Sequence, residues 1–356
     1  DKEEAEAVYK YMQEDTFVTE HKKTTELEKM ICSYLNCKHC IMTTSGTAAI
    51  ILGLMALDLS RGDEVIVPNY TMVATVNAVK FLGLTPVIVD VDPETFTLNT
   101  SVLTKSVTTR TGAVIHVSLN NRYTDMNDLL AFCECCKLPL LEDSAQSLGC
   151  TAPARDGIHQ ALGTFGKIGC FSLSTPKIIS TGQGGFCVTD DDELAVRMRM
   201  SKNFGRRESG KDNFETFGIN LKFTDIQAVI GIEQMKKLPE RVLRYREIYQ
   251  LYYKNLSELG LMKAPLSDTW IPWFVDVYTD DRDQLALFLR AHSVSTRPTY
   301  GEISSSPMYF RDQKFPNSNV ASKLGLFLPS YVSITDNDIM HICKLIRFYF
   351  AGKVFQ

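Results

Sequence analysis

The chain has 356 residues, 44% of them hydrophobic and 22% charged, and a formal net charge of −4. That length supports a large core with one smaller appended domain, and the slightly acidic balance gives no electrostatic case for nucleic acid or an anionic membrane as partner. The longest clean apolar run, residues 48–57, is about half the ~20 residues that a membrane-spanning helix needs, so a soluble protein is expected.

The N-terminal Asp1-Lys2-Glu3-Glu4 lacks the apolar core of a secretion signal. Thr25 with Glu28 reads as a capping box opening a helix whose apolar positions are Leu27, Met30, Ile31, Tyr34 and Leu35. Residues 48–57 are nearly all apolar, as in a helix packed inside the protein. A strand is predicted over 64–67, a helix over 73–82 and a strand over 86–90. The alternation continues with a strand at 114–117, a helix over 126–136 and a strand at 138–141, and 171–173 and 186–188 supply two more strands. Short apolar strands without polar alternation are buried on both faces, which predicts a mostly parallel sheet flanked by helices. Residues 206–213, rich in charge and glycine, read as a mobile loop.

Beyond Lys222 the pattern turns to long helices. Thr224 with Gln227 opens one that runs to Leu238, and Pro239 is placed to open the next, over 240–259. Residues 273–277 alternate like a half-exposed strand, and helices are predicted over 282–292 and 334–348. The expected organisation is a large α/β domain over 1–239, N-terminal helices included, and a smaller α+β domain over 240–356.

The ten cysteines follow no disulfide framework, so a reducing, cytoplasmic setting is the simpler account. Cys32, Cys37, His39 and Cys40 have the ligand types for zinc. Cys32 belongs to an apolar helix face, however, and residues 37–40 lead straight into a strand, so they are read as ordinary cysteines and no metal is expected.

The chemistry concentrates at three places. Phe171-Ser172-Leu173-Ser174-Thr175-Pro176-Lys177 opens into Thr181-Gly182-Gln183-Gly184-Gly185, which puts Lys177 between a short strand and a glycine-rich turn. Desolvation at a cleft floor lowers a lysine's pKa enough for its neutral amine to attack an aldehyde. Thirty-four residues upstream, Leu140-Leu141-Glu142-Asp143-Ser144-Ala145-Gln146 reads as a buried strand ending in an acid, and strand ends are where open α/β sheets place ligands. Thr44-Ser45-Gly46-Thr47 feeds a helix N-terminus and so makes a seat for a phosphate. No strand is followed by a Gly-x-Gly-x-x-Gly fingerprint, which disfavours a nicotinamide dehydrogenase.

Together and in this order, these segments resemble the sugar aminotransferases of the DegT/DnrJ/EryC family, fold-type I pyridoxal phosphate enzymes. Gly62-Asp63-Glu64-Val65-Ile66-Val67-Pro68, Gly218-Ile219-Asn220-Leu221-Lys222 and Val294-Ser295-Thr296-Arg297-Pro298 extend the likeness over nearly the whole chain. The resemblance implies a mostly parallel central sheet flanked by helices, a smaller C-terminal α+β domain and pyridoxal 5'-phosphate as cofactor. It implies Lys177 as the Schiff-base lysine and proton shuttle, and Asp143 as the partner of the pyridine nitrogen. Gln146 would contact the ring hydroxyl, Gly46, Thr47 and Ser172 would hold the phosphate, and Asn220 would reach the phosphate of a neighbouring subunit in a homodimer. Relatives with histidine at the lysine position do dehydration chemistry, so lysine implies transamination.

This sequence departs from the family pattern around the expected substrate pocket. Met72 stands where an aromatic side chain commonly covers the ring, Gln183 replaces a frequent glutamate, Ser118-Leu119-Asn120-Asn121 replaces a segment containing histidine, and Ser304-Ser305-Ser306 replaces a Pro-Leu-His. Arg297, Lys222, Tyr300 and Asn120 are the candidates for substrate contacts, Arg297 foremost because a guanidinium grips phosphate or carboxylate in a bidentate fork. The expected reaction moves an amino group from glutamate to a UDP- or GDP-linked 4-keto-6-deoxyhexose, as in viosamine and perosamine synthesis. Amination at carbon 3 or of a keto-cyclitol is the alternative within enzymes, and a non-catalytic binding member of the fold is the alternative outside them.

Overall fold

The computed structural model describes residues 1–14, 17–263, 270–310 and 312–352. Helices α1 (Lys2–Gln13) and α2 (Lys22–Leu35) lead to strand β1 (His39–Thr43), helix α3 (Gly46–Ala56), strand β2 (Glu64–Pro68), helix α4 (Ala74–Phe81) and strand β3 (Thr85–Val89). Helix α5 (Thr100–Thr104), strand β4 (Thr111–Val117), helix α6 (Met126–Cys136) and strand β5 (Leu140–Asp143) follow. A small hairpin, β6 (Thr151–Pro153) with β7 (His159–Ala161), precedes β8 (Ile168–Ser172), β9 (Gly185–Thr189) and α7 (Asp192–Ser201). The remainder is α8 (Asp225–Leu256), β10 (Asp276–Tyr278), α9 (Arg282–Ala291), β11 (Arg297–Pro298), α10 (Pro316–Leu324), β12 (Gly325–Phe327) and α11 (Asp336–Ala351).

Seven strands form the main sheet in the order β1-β9-β8-β5-β4-β2-β3. The pairs from β8 across to β3 are all parallel, and only β9 runs against its neighbours. Val65, Ile66, Val67, Val114, Ile115 and Leu141 on these strands are fully buried, as two-sided coverage by helices requires. The α/β architecture with a mostly parallel sheet is therefore observed. Parallel strands β4, β5 and β8 bring their C-terminal ends to one edge, and Asp143 and Ser172 both lie there.

Three expectations about element ends are corrected. Helix α2 begins at Lys22, ahead of the expected capping box, because its first amides are capped from far away in sequence. The Asp225 carboxylate accepts the N–H groups of His21, Lys23 and Thr24 at 2.8, 2.9 and 2.9 Å. Thr25 then lies inside the helix and donates its hydroxyl to His21 O, while Glu28 accepts the Met42 amide and pairs with Arg199. Pro239 does not open a new helix, since α8 passes through it unbroken. The missing N–H and ring crowding cost about 3 kcal/mol in a helix interior, which burial of Met235 and Leu238 before the proline and of Tyr245, Ile248 and Tyr249 after it offsets.

Residues 273–277 are buried rather than half exposed, except for Phe274, and strand pairing begins only at Asp276. The Asn120 side chain takes the place of a sheet neighbour, accepting from Phe274 N and donating to Phe274 O, both at 2.8 Å. The expected boundary at 239/240 falls inside α8. Residues from Ile248 onward build a core of their own, with Tyr252, Leu256, Leu285, Leu289, Leu326, Ile339 and Ile346 around the three-stranded sheet β10-β12-β11. Residues 206–213 form an irregular, mostly exposed turn segment.

Candidate active site

Alternation along β5 sends its two acids to opposite faces. Glu142 turns to the loop after the β6–β7 hairpin, accepting the amides of Gly163 and Gly166 at 2.8 and 2.6 Å, and burial pushes its carboxyl up to about 7. Asp143 turns the other way. Its Oδ2 accepts the Thr75 hydroxyl at 2.6 Å and its Oδ1 the Ala145 amide at 3.2 Å. Burial raises the Asp143 pKa, opposed by those two hydrogen bonds and by the charge of Lys177. A carboxylate so buried has its cation only at a distance, and a protonated ring nitrogen is the kind of partner that would stabilise it.

Lys177 follows β8 by five residues, in the turn that returns to β9. Burial lowers its pKa to about 8 while Asp143 pulls the other way. The side chain is half buried, with its ammonium 3.8 Å from the centroid of the Trp273 ring. Lys177, Trp273, Gln146, Ala145 and Ser172 line one cavity.

The residues expected to seat a phosphate lie alongside. Ser45 caps α3 by accepting the Ala48 amide at 3.1 Å, which leaves the amides of Gly46 and Thr47, the first two helical residues, without intrahelical acceptors. A Cβ at position 46 would meet Ser172 Cβ at 2.8 Å, so glycine is what lets the Ser172 hydroxyl stand at the helix N-terminus. Ser174 joins it, 3.2 Å away. Aimed amides, hydroxyls and the helix dipole suit a dianionic phosphate, and a buried carboxylate and a lysine with a lowered pKa are gathered on the same edge of the sheet. The residues present therefore fit pyridoxal phosphate.

Gln146 is oriented from both ends: its Oε1 accepts the Asn120 amide at 2.7 Å and its Nε2 donates to the Tyr300 hydroxyl at 3.1 Å. Asn120 has a different place from the one expected. With its side chain committed to Phe274 and Asp276 and only 1% of the residue exposed, it braces the C-terminal segment instead of facing a substrate. Tyr300 sits at the site with its pKa raised by burial, and the exposed Arg297 lies over its ring at 5.9 Å. Among the described residues Arg297 has no ion pair, which leaves its fork open to a ligand.

Met72 is half exposed, just ahead of the α4 turn that carries Thr75. Asn220 is exposed and bridges to Asn203, while Lys222 lies over the Phe204 ring at 5.1 Å. Their contacts run to that segment rather than to the Lys177 group.

Two contributors escape a sequence reading, Thr75 and Trp273. Each reaches the site only through packing, of α4 over the end of β5 and of the C-terminal segment over the β8–β9 turn, and neither carries a local signal. Of the cysteine group, Cys40 is buried and His39 pairs with Asp192 at 2.7 Å. Among the described residues, the one set of potential ligand atoms within 4.8 Å of one another is Asp1, Glu3 and Glu4. A larger groove of about 730 Å³ lies at the opposite edge of the sheet, by Lys137, Leu140, Lys167 and Asp190, away from this chemistry.

Comparison with known proteins agrees with this geometry. Residues 1–347 match the model of the DegT/DnrJ/EryC1/StrS aminotransferase family. GDP-perosamine synthase of Escherichia coli O157:H7 is 33% identical over 315 residues, covering 87% of this chain and 85% of that protein. S. venezuelae DesV, solved in complex with a ketimine intermediate, superposes with a TM-score of 0.91 at 27% identity, covering 98% of this chain and 94% of that one. DesI, solved in the presence of its TDP-sugar product, superposes with a TM-score of 0.87 at 28% identity, covering 98% of this chain and 89% of that one. A lysine, a buried aspartate and a helix N-terminus with free amides on one sheet edge are thus found in a chain that belongs to the DegT/DnrJ/EryC1/StrS aminotransferase family and is a pyridoxal phosphate-dependent sugar aminotransferase.

Proposed function

We propose that this protein moves an amino group from glutamate to a nucleotide-linked 4-keto-6-deoxyhexose, giving a 4-amino-4,6-dideoxy sugar, and that it works as a cytoplasmic homodimer. The observation that carries the reading is the convergence of Lys177, Asp143 and the Gly46–Ser172 phosphate seat, in a chain similar to a GDP-perosamine synthase. Free cysteines at all ten positions agree with a reducing compartment. No helix among the described residues is long and apolar enough to cross a membrane.

The geometry supports the following division of labour. The amides of Gly46 and Thr47 and the Ser172 hydroxyl would hold the phosphate. Asp143, kept in place by Thr75, would hold a proton on the ring nitrogen, and Gln146, locked between Asn120 and Tyr300, would present its amide to the ring substituents. When bound, pyridoxal phosphate supplies a conjugated ring that accepts the electron pair left when the substrate carbon loses a proton. Lys177 would be the residue that holds the cofactor, and its amine, with a pKa near 8, would be suited to take up and return the proton of the substrate carbon. Arg297, unpaired above Tyr300, is assigned to an anionic group of a substrate, a diphosphate or the donor carboxylate. Lys222 is proposed as a further cation for the substrate phosphates, and Met72 as a thioether cover for the ring.

The substrate reading is tested by supplying glutamate with GDP-, UDP- and TDP-linked 4-keto-6-deoxyhexoses and following 2-oxoglutarate and amino-sugar formation by mass spectrometry. Turnover of at least one nucleotide sugar is expected, with little on pyruvate or oxaloacetate. Efficient amination of a small keto acid and of none of the sugars would sink it.

Asn220 is proposed to serve the partner's phosphate, because it is exposed and bridges to Asn203, with no contact to its own chain's Lys177 group among the described residues. If so, inactive Lys177→Ala and inactive Asn220→Ala subunits complement each other. Random re-association of a two-fold dimer should restore about a quarter of wild-type activity, since one site in each mixed dimer has both residues. No recovery on mixing, or full activity in a monomer at low concentration, would remove this role.

A further inference from the structure

Trp273 is tied to the lysine turn from two directions. Its indole N–H donates to Pro176 O, the carbonyl of the peptide directly before Lys177, at 2.7 Å, and its ring face receives the Lys177 ammonium at 3.8 Å from the centroid. The indole is only 7% exposed and packs on Phe274 at 4.2 Å between centroids. Phe274 in turn is clamped through both its N–H and its C=O by Asn120, whose own amide fixes Gln146. A rigid path therefore runs from the lysine through the indole to the glutamine beside it. By contrast, the lysine stem has four rotatable carbons and about 2 kcal/mol of rotamer entropy.

We propose that Trp273 is a positioning residue for Lys177: its indole face is the seat that holds the amine whenever it is not joined to the cofactor, so that the amine stays on the Asp143 side of the site and acts from one place in every cycle. The proposal rests on Lys177 being the cofactor lysine. The ring quadrupole favours the ammonium form, burial by the same ring disfavours it, and Asp143 favours it. The other titratable groups facing this space are Tyr245, which lines the cavity, and Tyr300, reached through Gln146. Burial raises the pKa of both.

The contact can be read in the cofactor-free full chain. The rate of reductive methylation at Lys177 by formaldehyde and cyanoborohydride, followed by peptide mass spectrometry across pH 6 to 11, reports the amine's pKa directly. Trp273→Leu keeps an apolar wall and removes the π face. It should lower that pKa by roughly 0.5 to 1.5 units, the span corresponding to a partly or fully desolvated cation–π contact. Trp273→Phe keeps a weaker π face without the bond to Pro176 and should fall between Leu and wild type, with near-native circular dichroism. In the loaded enzyme the Phe variant should lose kcat several-fold with KM for glutamate little changed.

Equal pKa values in wild type and the Phe and Leu variants, or a pKa that rises in the Leu variant, would overturn the proposal and leave Trp273 a mere lid. Should Trp273→Leu fail to fold, the Phe variant decides alone, an unshifted pKa counting against the proposal. If the cofactor proves to be carried by another lysine, the functional assignment falls whatever this titration shows.

Discussion

Lys177→Ala should bind the cofactor without a covalent bond and lose amino transfer by at least about 10³-fold in kcat. Proton transfer by a positioned side chain is itself worth about 10²–10⁴-fold, and the variant also loses the covalent attachment. The loss should fall on kcat, because the phosphate seat at Gly46, Thr47 and Ser172 is untouched. The wild type makes a companion prediction. Only the neutral amine attacks an aldehyde, and burial lowers the pKa of Lys177 to about 8. Below that pH the neutral fraction falls tenfold per unit, so covalent loading of the cofactor-free protein should slow in proportion, and above it the rate should level. A stopped-flow pH series on loading checks this, and a break near 10 instead of 8 would mean that the amine is not desolvated.

Asp143→Asn should retain the fold and lose roughly 10²–10³-fold in turnover, the scale seen when one aimed electrostatic group is removed from a site where charge develops. The amide fills the same space: its oxygen can still accept the Ala145 amide, and its NH2 can donate to the Thr75 hydroxyl, which turns to accept, so the strand end has no reason to move. It carries no negative charge, so it cannot hold a proton on the ring nitrogen, and the ring becomes a poorer acceptor of electrons. Steady-state kinetics beside circular dichroism separate the two effects. Near wild-type turnover in a folded Asp143→Asn protein would remove this carboxylate from the mechanism.

What could be read from the sequence was whatever is decided locally or by periodicity. The apolar runs of β2, β4 and β5 announce a sheet covered on both faces, and Ser45 announces the start of α3, because the residues that settle each lie within a few positions. The positions of Lys177 and Asp143 were legible for a similar reason: Asp143 ends β5 and Lys177 follows β8 by five residues, just where an apolar run marks the chain leaving the sheet.

What was not legible depends on partners far along the chain. The start of α2 is set by Asp225, about 200 residues away, and the local Thr25–Glu28 signal loses to it. Pro239 carries a strong stop signal that burial on both flanks outweighs. Asn120, a candidate for a substrate contact, has its polar atoms taken up by Phe274, Asp276 and Gln146. No periodicity reveals such a clamp. Trp273 had the pattern of a strand residue, and its placement over Lys177 follows from that clamp.

The central claim, that Lys177 is the residue through which this aminotransferase holds and works its cofactor, is tested most directly by chemical trapping. The wild-type protein, loaded with pyridoxal phosphate, is reduced with borohydride, digested and mapped by mass spectrometry. A single phosphopyridoxyl mass addition on the peptide containing Lys177, abolished by prior conversion of the enzyme with glutamate, is the predicted result. A stable label on any other lysine, or none on Lys177, would contradict the account.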